Sequence, residues 1–181
     1  MRTAEPGEET ATAVAIKLQQ YLDKQSVPYD VLVHKRTACS TQTALASQVP
    51  RDCLAKGVVI KHRKGYLLAV VPASRDVRLE ELGSWLHEPV CLATEDEVSA
   101  LFPDCEHGAV PPLAAAYGVT AIVDASLDGH EDIYFEGGDH RALVHVAGSQ
   151  FKRLVESMPH AQFSAPASSD ALGMNGSPKV G

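Results

Sequence analysis

Three short stretches of the 181-residue chain combine residue types that suit chemistry on a charged or activated substrate. The first is Lys56, at the head of the apolar run Leu54-Ala55-Lys56-Gly57-Val58-Val59-Ile60. A lysine at the mouth of a sheet offers a compact positive charge to a phosphate or a developing oxyanion; the plainer alternative is a strand-end lysine keeping its head in water. The second is Gly108-Ala109-Val110-Pro111-Pro112. One glycine with two stiff prolines makes a loop whose N–H groups point in fixed directions, and one such donor on a forming oxyanion is worth roughly 3 kcal/mol; the same residues also suit a rigid turn. The third is Tyr134-Phe135-Glu136-Gly137-Gly138-Asp139-His140, a strand entering a Gly-Gly turn that either holds His140 over a pocket or leaves it idle in solvent.

Other chemistries find little support. Cys39, Cys53, Cys91 and Cys105 form no C-x-x-C pair, so neither a zinc cage nor a redox dithiol is signalled, and Cys105-Glu106-His107 lacks a second ligand pair at metal spacing. A hydrolase with a Cys105 nucleophile has no local sequence signature, and no Ser/His/Asp arrangement is visible. We therefore expect no metal and no cofactor.

These candidates need elements to hold them. Val14, Leu18, Tyr21 and Leu22 share one face of a first helix that ends before Pro28, and Tyr29 to His34 reads as a strand. Ser40 or Thr41 caps a short Ala-rich helix closed by Pro50. Lys56 to His62 and Tyr66 to Val71, joined by Arg63-Lys64-Gly65, form a hairpin. Leu79, Leu82 and Leu86 have helical spacing, with Trp85 expected to help close the core. Thr94 and Glu97 make a capping box for a helix that stops at Pro103. Short strands follow at Ala121 to Asp124, Asp132 to Phe135 and Leu143 to Val146, then a helix capped by Ser149 with Phe151, Leu154, Val155 and Met158 inward. Helices interrupt strands without strict βαβ alternation, which predicts an α/β (α+β mixed) fold: a curved mixed β-sheet surrounded by helices.

At 45% apolar content the chain can bury one sizeable core, and we read a flexible N-terminus over 1–12, one domain over 13–163 and a disordered tail over 164–181. From Ser164 onward 12 of 18 residues are Ser, Ala, Pro or Gly, too few apolar groups to fold on. No apolar run reaches 18 residues and the N-terminus lacks a secretory pattern, so we expect a cytoplasmic protein with no membrane partner. The net charge of −7 argues against coating nucleic acid non-specifically. Yet residues 1–78 carry 12 Lys/Arg against 7 Asp/Glu, while 79–140 carry 14 acids and no Lys or Arg, which predicts a polarised molecule. Lys56, Lys61, Arg63, Lys64, Arg75 and Arg78, with Asp76 as their one local acid, suit a grip on a few phosphates, or else solvated strand ends and a hairpin tip.

In this order, the three stretches resemble the YbaK/prolyl-tRNA synthetase-associated domain family, editing domains and free-standing proteins that deacylate mischarged tRNA. The resemblance runs from Ala15 to Phe163 and includes Pro28-Tyr29-Asp30-Val31, His34, the Lys56 strand, Leu68-Ala69-Val70-Val71-Pro72-Ala73, the G-x-x-x-P loop from Gly108 to Pro112 and the Phe135 to His140 turn. It implies a free-standing trans-editing deacylase, a metal-independent hydrolase of the aminoacyl ester, with the tRNA acceptor end and an aminoacyl-tRNA synthetase as partners. Lys56, Gly108 and Pro112 would then be catalytic, with His140, Ala109, Val110, Pro111 and Gly138 lining the substrate. Water, aided by backbone groups and the substrate's ribose hydroxyl, would attack the ester. Gly57 stands where relatives often carry Thr or Asn, Gln42 where an acid is common, and Pro111 doubles the loop proline; these departures leave the amino acid open among alanine, cysteine and serine, each of them small. Two other classes fit the same residues: a non-catalytic module binding aminoacyl-tRNA or another ligand, and an unrelated small-molecule hydrolase.

Overall fold

The computed structural model describes residues 14–168, so the expectations for 1–12 and for 169–181 lie outside the described residues. In chain order the elements are α1 (Ile16–Lys24), β1 (Asp30–Val33), α2 (Ser40–Ser47), β2 (Leu54–His62), β3 (Gly65–Pro72), β4 (Arg75–Val77), α3 (Leu79–Leu86), β5 (Cys91–Leu92), α4 (Glu95–Leu101), β6 (Thr120–Asp124), β7 (Asp132–Glu136), β8 (Ala142–Ala147), α5 (Gly148–Val155), β9 (His160–Ala161) and β10 (Ser164–Pro166). The main sheet runs β1-β8-β7-β2-β3-β6-β9, with β5 added to β2; β4 and β10 form a separate two-stranded ribbon. Pairs β2–β7, β3–β6 and β6–β9 are parallel and the rest antiparallel, so the expected mixed sheet flanked by helices is the fold.

Alternation along the strands sorts side chains onto two faces. Ala55, Val59, Leu68, Val70, Phe135 and Val144 point to one face, where Leu18 and Leu22 of α1 and Phe151, Leu154 and Val155 of α5 complete the largest core cluster. Ile60, Leu67, Ala69 and Val71 point to the other, against Leu82 of α3 and Phe163; beside them Leu54 and Leu143 meet Ala44 of α2. By the same alternation Lys56 and Glu136, one step beyond the paired Ala55 and Phe135, leave the sheet on the α2 and α3 face.

Three expectations need correction. Trp85 is 44% exposed and does not close the core; Phe163, fully buried, fills that face instead. The chain beyond Ser164 is not irregular throughout: β10 pairs Ser164 to Pro166 with Val77 to Arg75, and Arg75 donates to both the Ser164 hydroxyl and carbonyl. Composition missed it because three residues pinned by one arginine need no apolar run. Caps also moved. Thr94 and Glu97 do form the reciprocal capping box, but α2 and α5 start without a side-chain cap, and Gln42 reaches back to the Ala38 N–H.

The basic and acidic blocks meet along the hairpin. Strand β5 pairs Cys91 and Leu92 with Lys61 and Ile60, carrying the acidic segment alongside the basic hairpin. Lys61 thus meets Glu97, and His62 and Arg63 meet Glu88. The Glu97 carboxyl accepts from Lys61, from the Thr94 N–H and from the Tyr66 hydroxyl, and these donors pull it from 4.5 to about 2.

Two outcomes follow. Phe163→Ala, which empties a buried aromatic site, lowers stability by about 3–5 kcal/mol in urea denaturation. A depressed carboxyl contributes stability above its unfolded value and loses it as pH falls through the folded one. The melting temperature of the parent chain therefore falls more steeply than that of Glu97→Gln between pH 4.5 and about 2.

Candidate active site

The second and third stretches of the sequence meet in space. After β7 the chain turns through Gly137, Gly138, Asp139 and His140 into β8. Asp139 holds this turn by accepting from the Arg141 and Ala142 N–H groups, and His140 takes a left-handed backbone at φ 57°. Gly138 has φ 117°, and a Cβ there would lie 2.9 Å from that of Ala15, so only glycine fits. From the other side, the segment after α4 docks onto the turn. The Glu106 N–H donates to Gly138 O at 2.7 Å, and His140 Nε2 donates to the His107 carbonyl. A carbonyl can only accept, so this bond fixes His140 as the Nε2–H form or the imidazolium. Gly108 then passes directly over the imidazole, with room for a Cβ 3.4 Å from His140 Cε1 but at φ 80°.

Beyond Gly108 the loop runs inward. Ala109, Val110, Pro111 and Pro112 are buried, and Val110 joins the core cluster on the α1 face. The Ala109 N–H is used within its own turn, on Glu106 O, and the prolines have none. Among the described residues the Gly108 and Val110 N–H groups donate to no protein acceptor, so they are the loop's two available donors. The start of α1 is tied to the same construction: Ala15 N–H donates to Gly137 O at 2.7 Å and Lys17 N–H to Asp104 Oδ2 at 3.0 Å.

A cavity of about 550 Å³ opens here, lined by Arg36, Thr37, Ala38, Glu106, His107 and His140. The Arg36 guanidinium pairs with the Glu106 carboxylate across it. Sequence reasoning missed this wall, Arg36 to Ala38 and Glu106, because it belongs to no strand or helix; His34 was its nearest signal. Thr37 leads inward: its hydroxyl meets that of Thr43 at 2.6 Å, and Thr43 donates to the buried Glu136 carboxyl at 2.8 Å. Burial raises Glu136 above the ordinary carboxylate range, against the Thr43 hydrogen bond and the nearby His140 and His34.

Of the candidate catalytic and substrate-lining residues, only His140 lines this cavity; Gly108 to Pro112, Gly138 and Lys56 do not. The Lys56 side chain is about one-fifth exposed, and its ammonium is paired with Asp76 of β4 at 3.1 Å. The Gly108 loop and the Gly-Gly turn thus meet, whereas Lys56 leaves the sheet on the α2 and α3 face, opposite the α1 face that Val110 joins. A different hollow of about 510 Å³ beside α5, lined by Leu127, His130, Phe151 and His160 among others, contains none of the candidate catalytic or substrate-binding residues.

The sequence profile of the aminoacyl-tRNA editing domain family matches residues 34–154, a span that takes in Lys56, the Gly108 loop and His140. The chain belongs to that family. No curated protein matches it significantly. Among solved structures, it is similar to a candidate trans-editing enzyme for prolyl tRNA synthetase, with 22% identity and a TM-score of 0.73 over 85% of this chain and 98% of that one. It is equally similar to the hypothetical protein APE2540, at 21% identity and a TM-score of 0.73 over 82% of this chain and 99% of the other. A candidate signal transduction protein from Marinobacter aquaeolei VT8 shares the fold at 18% identity and a TM-score of 0.68; the match covers 88% of this chain but 32% of that longer one.

Burial raises two thiols of the editing domain, Cys53 and Cys105. Burial pushes Cys105 up to about 11, even though the Tyr117 hydroxyl lies 3.2 Å from its sulfur. Cys39 and Cys91 are exposed. At pH 7.5, iodoacetamide followed by peptide mass spectrometry finds Cys39 and Cys91 alkylated first, with Cys105 at least tenfold slower.

Proposed function

We propose that this chain is a free-standing trans-editing deacylase that hydrolyses the ester of mischarged tRNA carrying a small amino acid. The observation that carries this reading is the docked pair, the Gly108 loop on His140 at the edge of a cavity, inside the span that the editing family's profile covers. The choice of a small amino acid, alanine, serine or cysteine, is carried over from the family resemblance; the cavity itself, at about 550 Å³, has room for larger side chains as well.

Water adds to the ester carbonyl, the carbonyl oxygen takes up negative charge, and the bond to the ribose oxygen breaks as that oxygen gains a proton. The Gly108 and Val110 N–H groups are our candidates for the oxyanion donors; prolines 111 and 112 hold their directions. Lys56 grips the tRNA 3′ end, exchanging Asp76 for a phosphate. An aminoacyl ester is already labile, so positioning and charge supply much of the rate. On this reading the protein acts in the cytoplasm on the tRNA acceptor end, and the likeness to a candidate trans-editing enzyme for prolyl tRNA synthetase makes that synthetase's tRNA the first substrate to try.

The test is a deacylation panel. Purified protein, with chelator present, releases one or two small amino acids from mischarged tRNAs, and Lys56→Ala lowers the rate by about a hundredfold or more. Tight binding without release would favour a regulatory module. Full activity in Lys56→Ala would remove the lysine from the site.

A further inference from the structure

Strand β1 ends the main sheet, and its outer edge is open. The His34 N–H donates to Arg141 O at 2.8 Å, which continues the register that sets Asp30 on His145 and Leu32 on Leu143. Antiparallel ladders alternate, so the N–H and C=O groups of Asp30, Leu32 and His34 face β8, and those of Val31 and Val33 point off the end of the sheet. Among the described residues these outward groups meet no protein partner. Val31 lies opposite Val144 on the α1 face, Val33 follows on the same face, and the two side chains are 36% and 68% exposed. Edge strands are ordinarily blunted by shortness, lysine, proline or a bulge. The opposite edge, β9, obeys that rule with two residues, His160 and Ala161. Strand β1 pairs four residues in unbroken register and carries valine at both outward positions.

We propose that the open edge of β1 binds a second copy of the same chain, strand against strand about a two-fold axis through Leu32. The register is self-complementary. Antiparallel pairing about Leu32 sets Val31 of one copy opposite Val33 of the other, each such pair exchanging both of its N–H to C=O bonds, and the valine side chains meet on one face. Charge selects the same partner and the same direction. The segment reads Asp30-Val31-Leu32-Val33-His34-Lys35, with an acid at its head, an apolar middle and a base at its tail. Antiparallel pairing lays the Asp30 end of each copy alongside the Lys35 end of the other, whereas a parallel pair would set like charges together. The Asp30 side chain is 83% exposed and Lys35 is exposed, so neither has to leave a buried contact to meet its counterpart. An interface built on so short a strand belongs to the small class, so the association is weak and concentration-dependent.

The test uses the full chain and makes no reference to deacylation. Sedimentation velocity over roughly 1 µM to 1 mM follows the parent from one chain toward two, reversibly. Val33→Pro removes an outward N–H and no bond to β8, so the fold is kept, as far-ultraviolet circular dichroism checks, and the dissociation constant rises about tenfold or more. Val33→Lys leaves the backbone intact, charges the edge and has the same effect. Cross-linking reads the register. With the exposed Cys39 and Cys91 replaced by serine, mild oxidation links an equimolar mixture of Val31→Cys and Val33→Cys chains into a disulfide dimer faster than it links either variant alone, because only the mixture sets two cysteines directly opposite. A parent that stays monomeric over the whole range, a dimer unmoved by both Val33 variants, or cross-linking no faster in the mixture overturns the proposal. Pairing that begins only when residues 1–13 are deleted overturns it as well, and assigns the edge to that segment of the same chain.

Discussion

The Glu106 N–H on Gly138 O and the His140 imidazole on His107 O join two segments that lie 33 residues apart in the chain, measured from His107 to His140. Both bonds need left-handed backbone, at Gly108, Gly138 and His140, and a chain restricted to ordinary φ values could not bring the two segments so close. His140 is the costly member, a non-glycine residue at φ 57°, and Asp139 offsets that cost by accepting from two N–H groups on the far side of the turn. Everything else at the cavity is arranged around this junction. The start of α1, the Arg36 to Ala38 wall and the inward run of Ala109 to Pro112 all contact one of its two halves.

On the reading proposed above, the site works by fixed positions rather than by a reactive side chain. The nearest thiol is suppressed by burial, and the nearest buried carboxyl is held toward its neutral form. What the junction offers is direction: two backbone N–H groups without an acceptor among the described residues, on a proline-stiffened loop, and an imidazole whose ring is pinned by a carbonyl. Those resources suit a substrate whose bond is already activated, which is why we connect them to an aminoacyl ester.

Charge has a structural job here beside any functional one. The acidic middle segment folds back along the basic hairpin, so Glu88 and Glu97 face His62, Arg63 and Lys61. Among the hairpin's cations, Lys61 and Arg63 are thereby committed, and Lys56 has Asp76. A phosphate that binds Lys56 must therefore compete with a carboxylate, a requirement that favours a specific ligand over loose attraction to polyanions.

The elements themselves were legible in the sequence because they rest on local rules. Helical spacing placed Leu18 and Leu22 inward, Gly65 marked the hairpin, and the Thr94 to Glu97 box marks α4 as written. The sequence also named Gly108 and His140 as separate curiosities, through a glycine beside prolines and a histidine after a Gly-Gly turn. It had no means of joining them, because a hydrogen bond between residues so far apart in the chain leaves no periodic trace. For the same reason it missed Arg36, Thr37 and Glu106, and it misjudged Trp85, whose size suggested burial that Phe163 supplies. Local propensity fixes which residues form a strand or a turn; only the register of β7 on β2 and β8, and the docking of the loop upon their turn, decides which side chains share one hollow.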